Sequence, residues 1–202
     1  MFIKKTLLSM LCLLCMTSIT YAQQKLSTSG VTMGQSKQQV VAVLKNKGAN
    51  YNEEYNGNKI KIKVKKITVG DVHFDGAVFE FIDYKLCKVS YYQNESWGVD
   101  HPDFYNPNMY FPYQTAEVEA GYNRQGYERL LNGIIAKYGN PTTISGSEAT
   151  TKSITWHALN GVITIRYLYK NGYDHSLYPY SRTIKSGLWL VYEDSSMSNS
   201  DL

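Results

Sequence analysis

The sequence contains few cysteines, little net charge and no apolar run long enough to cross a membrane. Only three of its 202 residues are cysteine, and two of these, Cys12 and Cys15, lie near the N-terminus. If the N-terminal segment is removed on export, Cys87 remains as the single cysteine, which excludes an intramolecular disulfide. The fractions of hydrophobic residues (43%) and charged residues (19%) are too ordinary for a disordered chain. The fold must therefore be stabilised by the packing of a core.

Residues 1–22 have the pattern of a secretory signal peptide. Lys4 and Lys5 form a positive start, residues 7–16 are almost entirely apolar, and Ala22 is the small residue that a signal peptidase requires. The apolar run is too short for a transmembrane helix, which needs about 20 residues. We expect cleavage after Ala22, a periplasmic or secreted protein, and no stable membrane span after cleavage.

Two alternatives to cleavage stay open. The segment could be retained as an N-terminal anchor, or Cys12 or Cys15 could be lipidated. Lipidation generally requires a small residue before the cysteine, and Leu11 and Leu14 occupy those positions. The sequence therefore favours ordinary cleavage over a lipoprotein.

The net charge gives no support for nucleic acid binding. The formal charge of the whole chain is +4, and removal of Lys4 and Lys5 with the signal lowers it to +2. This value is too small to indicate a nucleic acid partner by itself.

Motifs of catalysis and metal binding are also missing. The sequence has no Gly-x-Ser-x-Gly elbow, phosphate loop or dinucleotide fingerprint, and its histidines form no cluster with metal-ligand spacing. Oxygen ligands for calcium are offered by the stretch from Asp100 to Asn108, but prolines interrupt it and it has no glycine at a bend. We therefore predict no catalytic residues, no metal and no cofactor. A hydrolase with scattered carboxylates stays open as an alternative.

Cys87 is interpreted as a small buried strand residue. It lies in an alternating apolar and polar stretch, and no local signature supplies the histidine that a nucleophilic cysteine needs.

Two helices are predicted. Ser36 followed by Gln39 is a capping box, and the apolar spacing after it indicates a helix over 37–47 that ends at Gly48. Thr115 is predicted to cap a second helix with a continuous apolar face that ends at Gly139.

Alternating patterns predict antiparallel strands after each helix. Strands are expected over 59–67, 69–74, 77–82, 85–92, 153–157, 162–169 and 188–192. Asp75-Gly76 and Asn160-Gly161 have the composition of hairpin turns.

These elements predict an α+β protein built from two tandem units, each with one helix packed on an antiparallel β-meander. The expected division is a first unit over 23–114, which ends in an aromatic loop, a second unit over 115–193, and a polar tail over 194–202.

The order of these pieces resembles a known family. The run of residues 30–36, an apolar helix, Gly48 and a meander, followed by a second helix ending in residues 137–141, is similar to β-lactamase-inhibitor-protein-like secreted proteins. It also resembles the small lipoprotein of the outer-membrane barrel assembly machine. This resemblance implies a concave sheet surface that binds a protein partner without catalysis. The chain lacks the paired cysteines of the secreted inhibitors and a good lipidation site, so inhibition of a β-lactamase is not implied.

Residues 59–65 place lysines on one face of a strand and apolar residues on the other. We interpret the lysines as a solvated face or as protection of an edge strand. The alternative is a patch for an acidic partner or an anionic polysaccharide.

The sequence has an unusual number of tyrosines, 18 in all, and they divide into two sets. The packing set falls within helix or strand patterns: Tyr122, Tyr127, Tyr138, Tyr167, Tyr169 and Tyr192. The second set lies with other aromatic residues in two predicted loops, 93–114 and 173–182. The candidate binding residues from these loops are Trp97, Tyr105, Tyr110, Phe111, Tyr113, Tyr173, Tyr178 and Tyr180.

Loop aromatics are typical of contact surfaces, although such loops can also fold over a sheet and bury their own rings. The sequence therefore predicts an exported, non-catalytic protein-binding module of the cell envelope. A carbohydrate-binding module that stacks sugars on these rings is the main alternative.

Overall fold

A computed structural model describes residues 26–99, 111–158, 160–174 and 181–196. The predicted signal peptide, residues 1–22, lies outside the described residues. The fold is a β-rich α+β arrangement in which strands greatly outnumber helices.

Two helices and eleven strands occur in the described residues. The helices are α1 (Lys37–Asn46) and α2 (Tyr113–Tyr138). The first strands are β1 (Ser27–Thr28), β2 (Val31–Thr32), β3 (Asn50–Asn56), β4 (Lys59–Val69), β5 (Val72–Ile82) and β6 (Lys85–Val99). The remaining strands are β7 (Phe111–Pro112), β8 (Thr143–Ser145), β9 (Lys152–Ala158), β10 (Gly161–Asp174) and β11 (Ser181–Asp194).

The prediction of two tandem helix-plus-meander units is wrong, because nine of the described strands form one long sheet, and β1 and β2 pair separately with each other. Its order is β3-β4-β5-β6-β11-β10-β9-β8, with the short β7 pairing parallel to β6. The central pairing of β6 with β11 extends from Val99 opposite Thr183 to Lys88 opposite Glu193. This long-range pairing joins the two meanders edge to edge, which removes an edge from each. Local sequence patterns carry no information about such a pairing.

One hydrophobic core serves both meanders. Helix α2 packs on β5 and β6 as well as on β10 and β11. Tyr127 on this helix stacks on Tyr167 of β10 with ring centroids 4.6 Å apart. A single cluster of buried side chains includes Val40 and Leu44 of α1 together with Tyr127 of α2. Both helices therefore cover the same face of the sheet.

The predicted start of α1 is confirmed. The hydroxyl of Ser36 accepts a hydrogen bond from the backbone N–H of Gln39, and the side chain of Gln39 accepts one from the N–H of Ser36. This reciprocal pair satisfies two of the free N–H groups at the helix start. Gly48 has φ +65°, a left-handed conformation that suits the end of a helix.

Helix α2 begins three residues earlier than predicted, at Tyr113 rather than after a Thr115 cap. Gly126 in its middle approaches the sheet closely, since a Cβ at this position would lie 3.0 Å from Leu188 and 3.1 Å from Val72. The glycine therefore lets the helix sit near the sheet, which outweighs its low helix propensity.

The prediction of a hairpin turn at Asp75-Gly76 is also wrong. The turn between β4 and β5 falls at residues 70–71, and Gly76 lies inside β5 opposite Tyr92. The second predicted hairpin is present, because β9 pairs with β10, but Gly161 of the predicted Asn160-Gly161 turn already lies in β10, opposite Ala158.

The lysine-rich strand is β4, and its predicted alternation is confirmed. It is not an edge strand, because β3 pairs along its outer side. Its lysines therefore form a solvated face rather than a protected edge. None of the described helices is long and apolar enough to traverse a membrane.

Candidate binding face

The face of the sheet opposite the helices is the candidate functional site, and we call it the open face. Because successive side chains of a strand point to opposite sides, each strand contributes to both faces. Leu188 and Leu190 of β11 are fully buried beneath the helices, whereas Trp189 and Val191, which alternate with them along the strand, are half-buried. No helix of the described ranges covers this second set.

An aromatic pair occupies the centre of the open face. Trp189 of β11 lies opposite Tyr92 of β6 in the register of the sheet. Tyr92 in turn lies opposite Gly76 of β5. On the other side of Trp189, the register places Arg166 of β10.

Two glycines allow these rings to lie against the sheet. A Cβ at Gly76 would fall 2.3 Å from the hydroxyl of Tyr92, so the phenol ring lies across this glycine. A Cβ at Gly187 would fall 2.4 Å from the Trp189 ring, which lies over its own strand in the same way. In both positions the missing side chain makes room for a flat aromatic surface.

Cations border these rings. The guanidinium carbon of Arg166 lies 5.7 Å from the centre of the Trp189 ring. The ammonium of Lys185 lies 5.9 Å from the Trp97 ring and 2.5 Å from a carboxylate oxygen of Glu95. Arginine and lysine over an indole face are attracted by its quadrupole, which helps to hold the rings in place.

The open face has a surplus of positive charge. Four lysines pair with carboxylates across its strands, in the pairs Lys61–Glu80, Lys63–Glu54, Lys88–Glu193 and Lys185–Glu95. Lys65, Arg166 and Lys170 form no ion pair with any described residue. On β10, Arg166 lies opposite Trp189 and Lys170 lies four residues further along, opposite Lys185. This part of the face therefore favours negatively charged groups.

The strands that flank the predicted aromatic loops end side by side at one end of the sheet. Val99 at the end of β6 pairs with Thr183 near the start of β11, and Asp174 at the end of β10 pairs with Ser181. The chain therefore enters residues 100–110 and residues 175–180 from neighbouring strand ends. Tyr105, Tyr110, Tyr178 and Tyr180 belong to these segments and lie outside the described residues.

The predicted loops are shorter than expected, because strands extend into them. Trp97 lies in β6 rather than in a loop, and its ring is half-buried beside Lys185. Phe111 lies in β7, which pairs with Gly98 and Val99. Tyr173 lies in β10 and is 66% exposed.

Tyr113 is not a surface contact residue. It lies in the first turn of α2 and is 6% exposed, with its hydroxyl donating a hydrogen bond to Asn171 and Arg182 stacked on its ring at 4.8 Å. Its burial raises the pKa of its hydroxyl. It packs the helix start against the sheet.

The packing set of tyrosines is largely confirmed. Tyr127, Tyr167 and Tyr192 are buried, and Tyr138 and Tyr169 pack against the core from partly exposed positions. Tyr122 is the exception, because it is 64% exposed on α2.

Sequence reasoning did not select Tyr92, Trp189, Arg166 or Lys185 for the site. Trp189 stands in a run of five apolar residues, and such a run hides which side chains point away from the core. A usable signal was present, because a glycine facing an aromatic residue across a strand pair often marks a ring that covers the backbone.

The described residues offer little support for nucleophilic or metal chemistry. Cys87 is confirmed as a buried strand residue, and burial raises the pKa of its thiol to about 11. A thiol that keeps its proton at neutral pH is a poor nucleophile. Among the described residues, no three histidine, cysteine, aspartate or glutamate side chains come together as a metal site.

Comparisons of the chain with protein-family models, with curated proteins and with solved structures find no match. The resemblance to β-lactamase-inhibitor-protein-like proteins therefore stays a prediction from the sequence.

Proposed function

We propose that the protein is an exported, non-catalytic binding module that captures another protein on its open face. The observation that carries the proposal is the pair of aromatic rings that lie over glycines, Tyr92 and Trp189, with Arg166 beside Trp189. Tryptophan, tyrosine and arginine are the residues that dominate binding energy in protein interfaces. The face extends over a nine-stranded sheet, and a partner in a stable complex buries roughly 800 Å² on each side.

The partner is expected to present acidic side chains. Arg166 and Lys170 have no carboxylate partner in the described structure. Arg166 lies beside the Trp189 ring, and Lys170 lies further along the same strand, opposite Lys185. Complementary charge speeds association and sets orientation more than it adds affinity. Raising the salt concentration should therefore slow the association rate while leaving most of the ring-dependent affinity.

The proposal assigns the segments at the end of the sheet to the rim of the same interface. Their flanking strand ends lie side by side, and their composition is rich in tyrosine. The rim would include Tyr105, Tyr110, Tyr178 and Tyr180.

Capture from envelope extracts tests this function. The mature protein is used as bait beside a variant that carries Trp189→Ala and Tyr92→Ala. Tyr84→Ala is the matched control, because Tyr84 is 64% exposed in the turn between β5 and β6, at the other end of the sheet. We expect the wild type and the control to retain the same protein and the double variant to lose it.

Two outcomes would oppose the proposal. Equal capture by all three baits would show that the open face is not the interface. Ring-dependent binding on a glycan array without protein capture would instead favour the carbohydrate-binding alternative.

Export has its own test. The proposal predicts that the protein purified from its native envelope or medium begins at Gln23. A start at Met1 would contradict cleavage, and a lipid-modified Cys12 or Cys15 would show a lipoprotein.

A further inference from the structure

A second candidate site lies on the helix side of the sheet, away from the open face. A cleft of about 540 Å³ opens between residues 119–129 of α2 and the β4–β5 hairpin. We call it the hairpin cleft. Its volume lies within the range of small-molecule sites, about 300–1,000 Å³.

Irregular backbone surrounds the hairpin cleft. The β6–β11 ladder shifts register where Gln93 pairs with Leu188 and Ser96 pairs with Ser186, which makes a bulge in β6. Lys66, which lines the cleft, has φ +55°, an unfavourable conformation for a residue other than glycine. Bulges re-aim side chains and cluster near functional sites, and strained residues persist where function requires them.

The bulge places polar side chains on the face of the sheet that the helices cover. The amide nitrogen of Gln93 donates to the carbonyl oxygen of His73 at 2.7 Å. Its side-chain oxygen is buried and finds no hydrogen-bond partner among the described residues. A buried acceptor without a donor costs free energy, so this oxygen calls for a donor that the described protein does not supply.

A second amide is fixed in the same wall. Asn123 of α2 is 3% exposed, and its nitrogen donates to the hydroxyl of Ser186 at 2.8 Å, which in turn contacts the hydroxyl of Ser96. Because the nitrogen is used in this network, the oxygen is the part of the amide left to accept. The cleft wall thus contains two amide groups held by the protein through their donor ends.

The rim adds charges of both signs. Asp71, Asp75 and Glu119 supply carboxylates, and Lys66 and Arg129 supply cations. Arg129 is held by a hydrogen bond from its guanidinium to the backbone oxygen of Asp71, at 3.3 Å. A nearly balanced rim selects weakly for a charged ligand, whereas its oxygens favour a ligand rich in hydroxyl donors. Phe74 and Tyr122 add aromatic carbon to the lining.

We propose that the hairpin cleft binds a small neutral sugar, a mono- or disaccharide, whose hydroxyls donate to the amide oxygens of Gln93 and Asn123. This site is separate from the protein-binding face and does not depend on it. The orphan acceptor at Gln93 and the bulge that places it there are explained together by a ligand that supplies hydroxyl donors.

Side-chain amide NMR tests the proposal directly. The mature protein, labelled with ¹⁵N, is titrated with glucose, N-acetylglucosamine, maltose and cellobiose at up to about 10 mM, which detects dissociation constants of millimolar order. Putrescine and arginine serve as the cationic arm. We expect one sugar to shift the side-chain amide signals of Gln93 and Asn123 in a saturable way.

Two variants separate binding from a structural role. Gln93→Leu removes the orphan acceptor, so it should weaken sugar binding at least tenfold while the melting temperature stays equal or rises. Glu119→Gln, on the rim of the cleft, should weaken binding by a smaller factor and serves if Gln93→Leu does not fold. Tyr84→Ala should bind like the wild type.

Several results would overturn the proposal. The cleft would not be a sugar site if no sugar shifted these amides, if only the amines did, or if both variants bound as tightly as the wild type. Loss of sugar binding in Trp189→Ala with no effect in Gln93→Leu would move the sugar to the open face.

Discussion

The two faces of the one sheet use the same kinds of residue for different purposes. Tyr91 and Tyr92 are neighbours in β6, yet Tyr91 is fully buried beside Phe74 and Phe79, whereas Tyr92 lies over Gly76 on the open face. On the helix-covered face, aromatic side chains pack in the core. On the open face, they remain at the surface. The number of tyrosines therefore says little, and the side of the strand on which each one lies decides its role.

The comparison is sharpest at two adjacent aliphatic residues of β11. Leu190 is fully buried and Val191 is half-buried on the open face. Leu190→Ala should lower the free energy of unfolding by about 2–5 kcal/mol because it leaves a cavity in the core. Val191→Ala should cost about 1 kcal/mol or less.

Urea unfolding followed by circular dichroism measures both variants. Similar losses of unfolding free energy in the two variants would show that the two faces contribute equally to stability, contrary to this prediction.

Alkaline pH should destabilise the helix-covered face selectively. Burial raises the pKa of Tyr91 from 10 to about 12, because the charged phenolate is poorly solvated in the core. The folded state then keeps a proton that the unfolded state loses above pH 10, so stability is full below pH 10 and falls as the pH rises toward 12. Each such tyrosine changes the unfolding equilibrium by up to roughly tenfold per pH unit.

Unfolding midpoints between pH 8 and 11 check this prediction. Tyr91→Phe should flatten the decline, at the expense of the hydrogen bond that Thr28 donates to Tyr91. If the stability of Tyr91→Phe declined as steeply with pH as that of the wild type, Tyr91 would not be the cause of the decline.

A smaller effect is expected where a buried hydroxyl lacks a partner. The hydroxyl of Tyr167 is buried and makes no hydrogen bond with any described residue. Tyr167→Phe keeps the stack on Tyr127 and removes the unsatisfied group, so it should stabilise the fold by about 1 kcal/mol. A loss of stability on thermal unfolding would indicate a partner for that hydroxyl.

The smallest effect should come from the charged pairs of the open face. Lys61 and Glu80 are 3.2 Å apart with both side chains substantially exposed. Exposed ion pairs contribute about 0–1 kcal/mol, so Lys61→Ala should change stability by less than about 1 kcal/mol in urea unfolding. A larger loss would mean that the open face also stabilises the fold.

The sequence was informative where structure is decided by near neighbours. The capping box of Ser36 and Gln39 lies within one helical turn, and its prediction is confirmed. The alternation of β4 is equally local, and so is the burial of Cys87.

The predictions that were wrong depend on residues far apart in the sequence. Gly76 has the composition of a turn, but its lack of a side chain serves the ring of Tyr92, 16 residues away in sequence. The edge strand β3 is polar and has no apolar alternation to reveal it. The pairing of β6 with β11 converts two expected units into one sheet, and no short motif encodes that pairing.

The candidate site was predicted only in part. Trp97 was selected and lies on the open face, whereas Tyr113 was selected and is buried beneath Arg182. Tyr92 and Trp189 were missed because their exposure depends on which face of the joined sheet the helices cover. That information is a property of the whole fold.

One measurement tests the central claim, that the open face is the binding surface. It is the dissociation constant of the purified captured partner for the wild type, Trp189→Ala, Gly187→Ala and Tyr84→Ala, each shown to be folded. The account predicts about 30-fold or greater weakening for Trp189→Ala, as at an interface hot spot. Weakening is also predicted for Gly187→Ala, because a methyl group displaces the Trp189 ring, and no change is predicted for Tyr84→Ala. Equal affinities for all four proteins would contradict the account.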